Sequence, residues 1–284
     1  NLEYMTYDGF SWSTPVSLDS TDNVGSFSSL AIDSNDNLHV TYYDYTNENL
    51  EYMFSSNSAG GNNTGGNGSG SGGNNTGNST GNSTNLTVVN NTLMFGNSYT
   101  SFNSLHTLLE DLGVQNADAI TAGGKKLSAH WSDVNSSHLS NTTLRNPNVD
   151  WDYVILQDQS QVPGFYRTNS DWLASMNGAV GLAGAVEDEG GESVLLMTWG
   201  RRNGDAMNPT LYSNFSVMQE RLESGYIDYH DNMTAAGNTV WIAPVGLAFA
   251  HIHDSVMASG INATVSGNTF YDLYSSDGSH PSLA

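Results

Sequence analysis

A serine hydroxyl becomes a nucleophile when an imidazole can take its proton and a carboxylate holds that imidazole in place. The chain carries those residue types at two distant points: Ser98 in "LMFGNSYT", and Asp277 with His280 in "YSSDGSHPSLA". Asp277 and His280 are close enough for one turn of chain to bring the carboxylate to one ring nitrogen while the other faces outward. Between them lie two further candidates. In "TAGGKKLSAHW", Gly123 and Gly124 could bring a backbone N–H close to an oxyanion, and in "DYVILQDQSQVPGF" Gln157 and Gln159, on one face of an extended segment, could offer a side-chain amide. Each has a plainer reading: Ser98 as a helix N-cap, the glycines as a turn, the glutamines as polar strand caps, "DGSH" as a surface loop. Four such features at strand ends, in a workable order, favour acyl transfer by Ser98.

The elements that must position these residues follow from the hydrophobic pattern. From Thr87 onward, short apolar runs alternate with helical periodicity: strands over 93–95, 117–121, 153–157, 193–198 and 239–244, and helices over 101–112, 171–187 and 210–237. Strands alternating with helices imply right-handed crossovers and a parallel sheet covered on both faces, an α/β domain in three layers. Ligands in such sheets bind beyond the carboxyl ends of the strands, where all the candidates lie. Ser98 starts a helix there, so its N–H and the helix dipole would favour a developing negative charge.

These motifs resemble the SGNH (GDSL-like) hydrolases over about Leu93 to Ser282, with "FGNS" for the opening block, "GG" for the glycine block and "DGSH" for the closing DxxH block. The pattern is closest to a subgroup reading "GNS(F/Y)T", "LQxQS", "TWG" and "PVG", present here at Gly96, Leu156, Thr198 and Pro244. The resemblance implies a flavodoxin-like fold. It also implies Ser98 as nucleophile, His280 as base and then acid, Asp277 as orienter, and an oxyanion hole of Ser98 N–H, Gly124 N–H and a side-chain amide. Asn97 stands where the family usually has Asp, and "QDQSQ" replaces the usual GxND block. Gln159 is the first choice for the amide donor, Gln157 the second, and Gln161 the third. No cofactor is implied.

Residues 1–54 read as a separate β-module. "NLEYMTYD" at Asn1 recurs as "NLEYMF" at Asn49, with alternating segments between, a pattern resembling one blade of a surface propeller repeat. Residues 55–86 are Gly, Asn, Ser and Thr, a composition that cannot repay the entropy of ordering, and they read as a flexible linker. The SGNH-like domain then occupies 87–284. In "DSNDN", Asp33, Asn35 and Asn37 alternate like calcium ligands, but Leu38 stands where such a loop needs Gly, so a polar hairpin turn is the better account.

Charge narrows the partners. The 284 residues carry a net charge of -22, yet only 13% are charged, so the imbalance comes from missing Lys and Arg. Such a surface argues against nucleic acid and against anionic membranes. The absence of Cys excludes disulfides and thiolate metal sites. N-x-S/T triplets, among them Asn135, Asn141, Asn214, Asn232 and Asn262, point with the neutral polar surface to an extracellular, glycosylated protein, or to one from a saline habitat. Without Met at its start the chain reads as a mature or excised piece.

Two further clusters bear on the site. Lys125, Lys126, Arg167, Arg201 and Arg202 follow strand ends and could draw an anionic substrate, although local neutralisation of nearby acids is the simpler account. Trp199 and Arg201 are assigned to substrate binding, with Trp131, Phe165 and Tyr166 as further walls or as core. "HIH" at His251 and His253 would present two imidazoles on one face if extended, but no third ligand converges, so no metal is expected. The sequence thus implies an extracellular ester hydrolase acting on a small-molecule or polysaccharide ester, with deacetylation of carbohydrate preferred. The competing reading is a non-catalytic surface or adhesion protein on a hydrolase scaffold.

Overall fold

Short runs buried on both faces make the central sheet, and alternate residues such as Leu93 and Phe95, or Val154 and Leu156, enter one core. The computed structural model describes residues 1–5, 13–20, 23–32, 38–46, 49–55 and 89–283, and the chain divides into two compact units, Asn1–Thr87 and Val88–Ala284. The "DSNDN" turn, Trp12 and nearly all of the 55–86 segment lie outside the described residues.

In the first unit, β1 (Leu2–Tyr4) pairs antiparallel with β2 (Val16–Asp19), and β3 (Val24–Ile32), β4 (Leu38–Asp44) and β5 (Asn49–Ser55) form a second antiparallel sheet. Both copies of the "NLEY" repeat are therefore strands, β1 and β5, each on a different sheet. Leu2, Val24, Val40 and Tyr42 are buried together, with Leu18 and Met53 against them.

In the second unit, β6 (Asn91–Gly96), β7 (Asn116–Thr121), β8 (Tyr153–Leu156), β9 (Glu192–Leu196) and β10 (Val240–Ala243) build a parallel sheet in the order β10-β9-β8-β6-β7. This is the expected flavodoxin-like arrangement. From β6 the chain steps to one side, to β7, and then back across to β8 on the other. The carboxyl ends of β6 and β8 thus flank the topological switch point, where a crevice opens in sheets of this class. Ser98 follows the first of these strands and Gln157 the second.

The flanking helices are α1 (Ser98–Ser101), α2 (Leu105–Asp111), α3 (Leu127–Val134), α4 (Leu139–Leu144), α5 (Ser170–Asp188), α6 (Phe215–Ala235), α7 (Val245–Ala258) and α8 (Thr269–Asp272). One core joins the sheet to Leu127 and Val134 of α3, Leu182 and Val186 of α5, and Tyr226, Tyr229 and Met233 of α6. A second, largely aromatic core gathers Tyr99, Trp199, Phe215, Phe249, Phe270 and Tyr274. No helix of the described residues is long and apolar enough to cross a membrane.

Three expectations change. The single helix over 101–112 is two, α1 and α2, because Asn103 and Ser104 take left-handed backbone angles with φ of 65° and 53°. The helix over 210–237 begins only at Phe215, where the Asn214 side chain caps it by accepting from Val217 N–H at 2.9 Å. The "HIH" segment is helical, inside α7, so its imidazoles stand on opposite sides instead of sharing a face. His253 packs against Phe215 and Phe270 at 4.7 and 4.9 Å between ring centres, while His251 is exposed.

Candidate active site

The turn after β6 is held from below. Gly96 is tightly enclosed, since a Cβ there would overlap Thr100 Oγ1 and come within 2.9 Å of Gln157 Oε1. Its carbonyl accepts from His130 Nε2 at 2.9 Å. His130 is fully buried on α3, and burial keeps it neutral by pulling its imidazole down to about 4. The cap of α1 is Asn97, not Ser98: its Oδ1 accepts from Tyr99 N–H at 3.0 Å. Asn97 Nδ2 donates to Lys125 O at 3.1 Å and to Asp158 O at 3.2 Å, tying the loops after β7 and β8 to the turn. Ser98 is left at the surface of this frame.

His280 reaches Ser98 from the other end of the chain. Its Nε2 lies 2.8 Å from Ser98 Oγ, and its Nδ1 lies 2.5 Å from Asp277 Oδ2. Burial alone would raise the Asp277 carboxyl. Hydrogen bonds from His280 Nδ1, the N–H groups of Ser279 and His280, and Ser275 Oγ outweigh it and hold the carboxyl well below the usual range. This fixes Nδ1 as the protonated nitrogen and leaves Nε2 to accept from the Ser98 hydroxyl.

The loop carrying His280 is a small hairpin. Ser275 N–H donates to His280 O and Ser282 N–H to Leu273 O, both at 2.9 Å. It is clamped onto the segment after β9. Arg202 N–H donates to Gly278 O at 2.9 Å, Trp199 Nε1 to Ser279 O at 3.0 Å, and Tyr274 hydroxyl to Gly200 O at 2.6 Å.

That arrangement corrects the assignment of Trp199 to substrate binding. Trp199 is 4% exposed and sandwiched between Tyr99 and Phe249, with ring centres 4.9 and 4.6 Å away. It supports the His280 loop and has no free face. Arg201 is likewise engaged inside the protein, by Asp205 at 2.7 Å and Ser160 Oγ at 3.3 Å. The other cations follow suit. Lys125 pairs with Asp133, Lys126 with Asp171, Arg145 with Glu189 and Arg167 with Asp228, while Arg202 and Arg221 lie over the rings of Tyr271 and Tyr166. Local neutralisation therefore accounts for Lys125, Lys126, Arg145, Arg167 and Arg201 better than substrate steering, and Arg202 and Arg221 are held by ring contacts. Trp131 packs against Gly181 at the edge of the core, Phe165 stacks near Tyr212, and Tyr166 is 65% exposed.

The glutamines separate cleanly. Gln157 is fully buried and both ends of its amide are occupied: Oε1 accepts from Asn97 N–H and Thr100 Oγ1, each at 2.9 Å, and Nε2 donates to Asp158 O. It braces the turn and cannot serve an oxyanion, so the second-choice assignment is corrected. Gln161 is committed through Nε2 to Asp205. Gln159 is partly exposed, with Nε2 3.2 Å from Gln161 Oε1, which uses one of its two amide hydrogens. Among the described residues no hydrogen bond uses the N–H of Ser98 or of Gly124. Gly124 has a φ of 64°, which suits glycine, and faces open space.

Asp158, unremarked in the sequence, anchors this block. Its Oδ1 accepts from Leu127 N–H, Gln159 N–H and Ser175 Oγ, and its Oδ2 from Tyr229 hydroxyl. Burial pushes its carboxyl up to about 6 against the pull of those bonds. A carboxyl raised in the folded state stabilises most below its unfolded value of 3.8, and that contribution is lost as pH rises through about 6. Asp158→Asn keeps the acceptor oxygen and turns an amide toward Tyr229. Its stability relative to wild type is expected to improve by about 3 kcal/mol between pH 4 and 7. Urea midpoints across that range check this; a constant difference would show that Asp158 does not titrate there.

No protein-family model matches the chain, and none of the curated proteins does. Solved structures do. A protein from Slackia heliotrinireducens assigned to the SGNH hydrolases superposes with a TM-score of 0.52 at 23% identity, covering 68% of this chain and 91% of that one. The fold is that of the SGNH hydrolases. A DUF4886 family protein from Bacteroides uniformis also superposes, with a TM-score of 0.51 at 18% identity, over 68% of this chain and 76% of that one. Identities this low speak to the fold alone, so the chemistry rests on the side chains.

Proposed function

We propose that the chain is a serine ester hydrolase working through an acyl-enzyme on Ser98. The observation that carries this reading is the chain of hydrogen bonds from Ser98 Oγ to His280 Nε2 at 2.8 Å, and from His280 Nδ1 to Asp277 Oδ2 at 2.5 Å. A loop cap has no use for that alignment, whereas a nucleophile requires it. Ser98 Oγ attacks the ester carbonyl carbon as its proton moves to His280 Nε2. The carbonyl oxygen becomes an oxyanion that the N–H groups of Ser98 and Gly124 and the amide of Gln159 receive. The C–O bond to the alcohol then breaks and His280 returns the proton to the leaving oxygen. Water, deprotonated by His280, releases the acid and restores Ser98. Ionised Asp277 steadies the imidazolium in both halves.

The preferred substrate is an acetylated carbohydrate. His280 and Asp277 have side chains 23% and 47% exposed, and so shallow a site suits a small acyl group on a bulky polymer better than a long lipid chain. The acidic, cysteine-free, sequon-bearing composition supports an extracellular setting. The test is hydrolysis of p-nitrophenyl acetate and of acetylated oligosaccharides by wild type and Ser98→Ala, with covalent labelling by a fluorophosphonate. Labelling confined to Ser98 and loss of turnover in the variant are expected. Equal turnover by both proteins overturns the mechanism, and an inert, unlabelled wild type favours the surface-protein reading.

A further inference from the structure

The loop between α1 and α2 holds an arrangement that the reaction as written does not use. Phe102, the residue closing α1, donates its N–H to Ser98 O at 2.9 Å and is thereby fixed to the nucleophile's own turn. Its ring lies nearly parallel to the His280 imidazole, 4.8 Å between centres at 25°, although the residue is 41% exposed. Tyr99 meets the same imidazole edge-on at 5.3 Å. Asn103 follows with its side-chain amide donating to Pro281 O at 3.0 Å, one residue beyond His280. To deliver both contacts the chain takes left-handed angles at two successive residues that are not glycine, Asn103 and Ser104. Glycine would make such a turn without strain, so a strained Asn whose amide is in use is informative.

Taking His280 as the base of the proposed reaction, we propose that Phe102 and Asn103 form a clip that positions it. Asn103 fixes the backbone of the His280 loop to the helix that carries Ser98. Phe102 covers one imidazole face, holding the ring in line between Ser98 and Asp277, and offers a ring face to the cation that forms when His280 takes the serine proton. Phe102 is thus a positioning residue. An acyl-binding wall in the same place would act on substrate affinity instead.

Kinetics and proton NMR on the full chain separate the possibilities. Phe102→Leu is expected to lower kcat roughly tenfold with KM within about twofold, and Phe102→Tyr to restore it. Asn103→Gly accepts the left-handed angle but lacks the amide, and is expected to lower kcat in the same direction. The short Nδ1–H bond to Asp277 should give a far-downfield proton resonance that is sharp in wild type and lost or broadened in Phe102→Leu and Asn103→Gly. Unchanged kcat in both variants, or a loss carried by KM, overturns the clip. If wild type neither turns over esters nor takes the fluorophosphonate, the proposed reaction fails instead. The resonance then decides the clip alone, its loss in both variants supporting it and its persistence in both refuting it.

Discussion

Ser98→Ala is expected to lower ester turnover by roughly 10^4 to 10^6-fold, since a nucleophile and its base act as one unit. The variant loses a single hydrogen bond, that to His280 Nε2, and Ser98 O still accepts from Phe102 N–H. Stability should therefore stay within about 1 kcal/mol of wild type. His280→Ala should cost about as much activity as Ser98→Ala, and the double variant no more than either, because a nucleophile without its base, or a base without its nucleophile, cannot make the proton transfer. Single-turnover assays on p-nitrophenyl acetate, with melting curves as a control for folding, check all three proteins. A double variant much worse than both singles would mean that Ser98 and His280 serve separate steps.

Asn97→Asp is expected to destabilise the fold by about 2 to 4 kcal/mol, although it restores the residue that the resembled family usually carries before its serine. Asn97 is 2% exposed and its Nδ2 faces two carbonyl oxygens, those of Lys125 and Asp158. A carboxylate would set a negative oxygen against both, with no water to separate them. Protonation lets the new group donate to one of the two, so its folded-state affinity for a proton rises. The variant should be closest to wild type at acid pH, and the deficit should grow as pH rises to neutrality. Denaturant midpoints at pH 4 and pH 7 measure it. Activity should fall along with stability, because the same amide ties the Gly124 and Gln159 loops to the nucleophile turn.

The sheet was legible because burial on both faces writes itself as short apolar runs, and β6 to β10 each fall within a residue or two of the expected segments. The helices α3 and α7 were not. In α3 a neutral histidine, His130, occupies a buried position between Leu127 and Val134, so a polar letter hides the helical spacing. In α7 only Gly246, Phe249 and Val256 are buried, and "HIH" imitates an alternating strand. At the site, residue types and chain order singled out Ser98, Asp277 and His280, which the structure brings within hydrogen-bonding distance, because a hydroxyl, an imidazole and a carboxylate are chemically distinctive. The supporting groups were illegible for the opposite reason. Gln157, Gln159 and Gln161 carry the same amide, and only the burial and partners of each, set by the turn after β8, distinguish a buried brace from a partly exposed donor. The reassignment of Trp199 has the same origin: an aromatic letter at a strand end does not say which of its faces is already covered.

Ser98 and His280 are 182 residues apart in the chain, and the hairpin bearing His280 has little secondary structure beyond the four-residue helix α8. Closing so long a loop is entropically costly, so this contact is expected to form late in folding. The sheet can thus be complete while the base is still absent. Esterase activity would then act as a clock for the last docking event of folding. The same hairpin, opening on its own, would silence the proposed reaction by local fluctuation without disturbing the five strands beneath it.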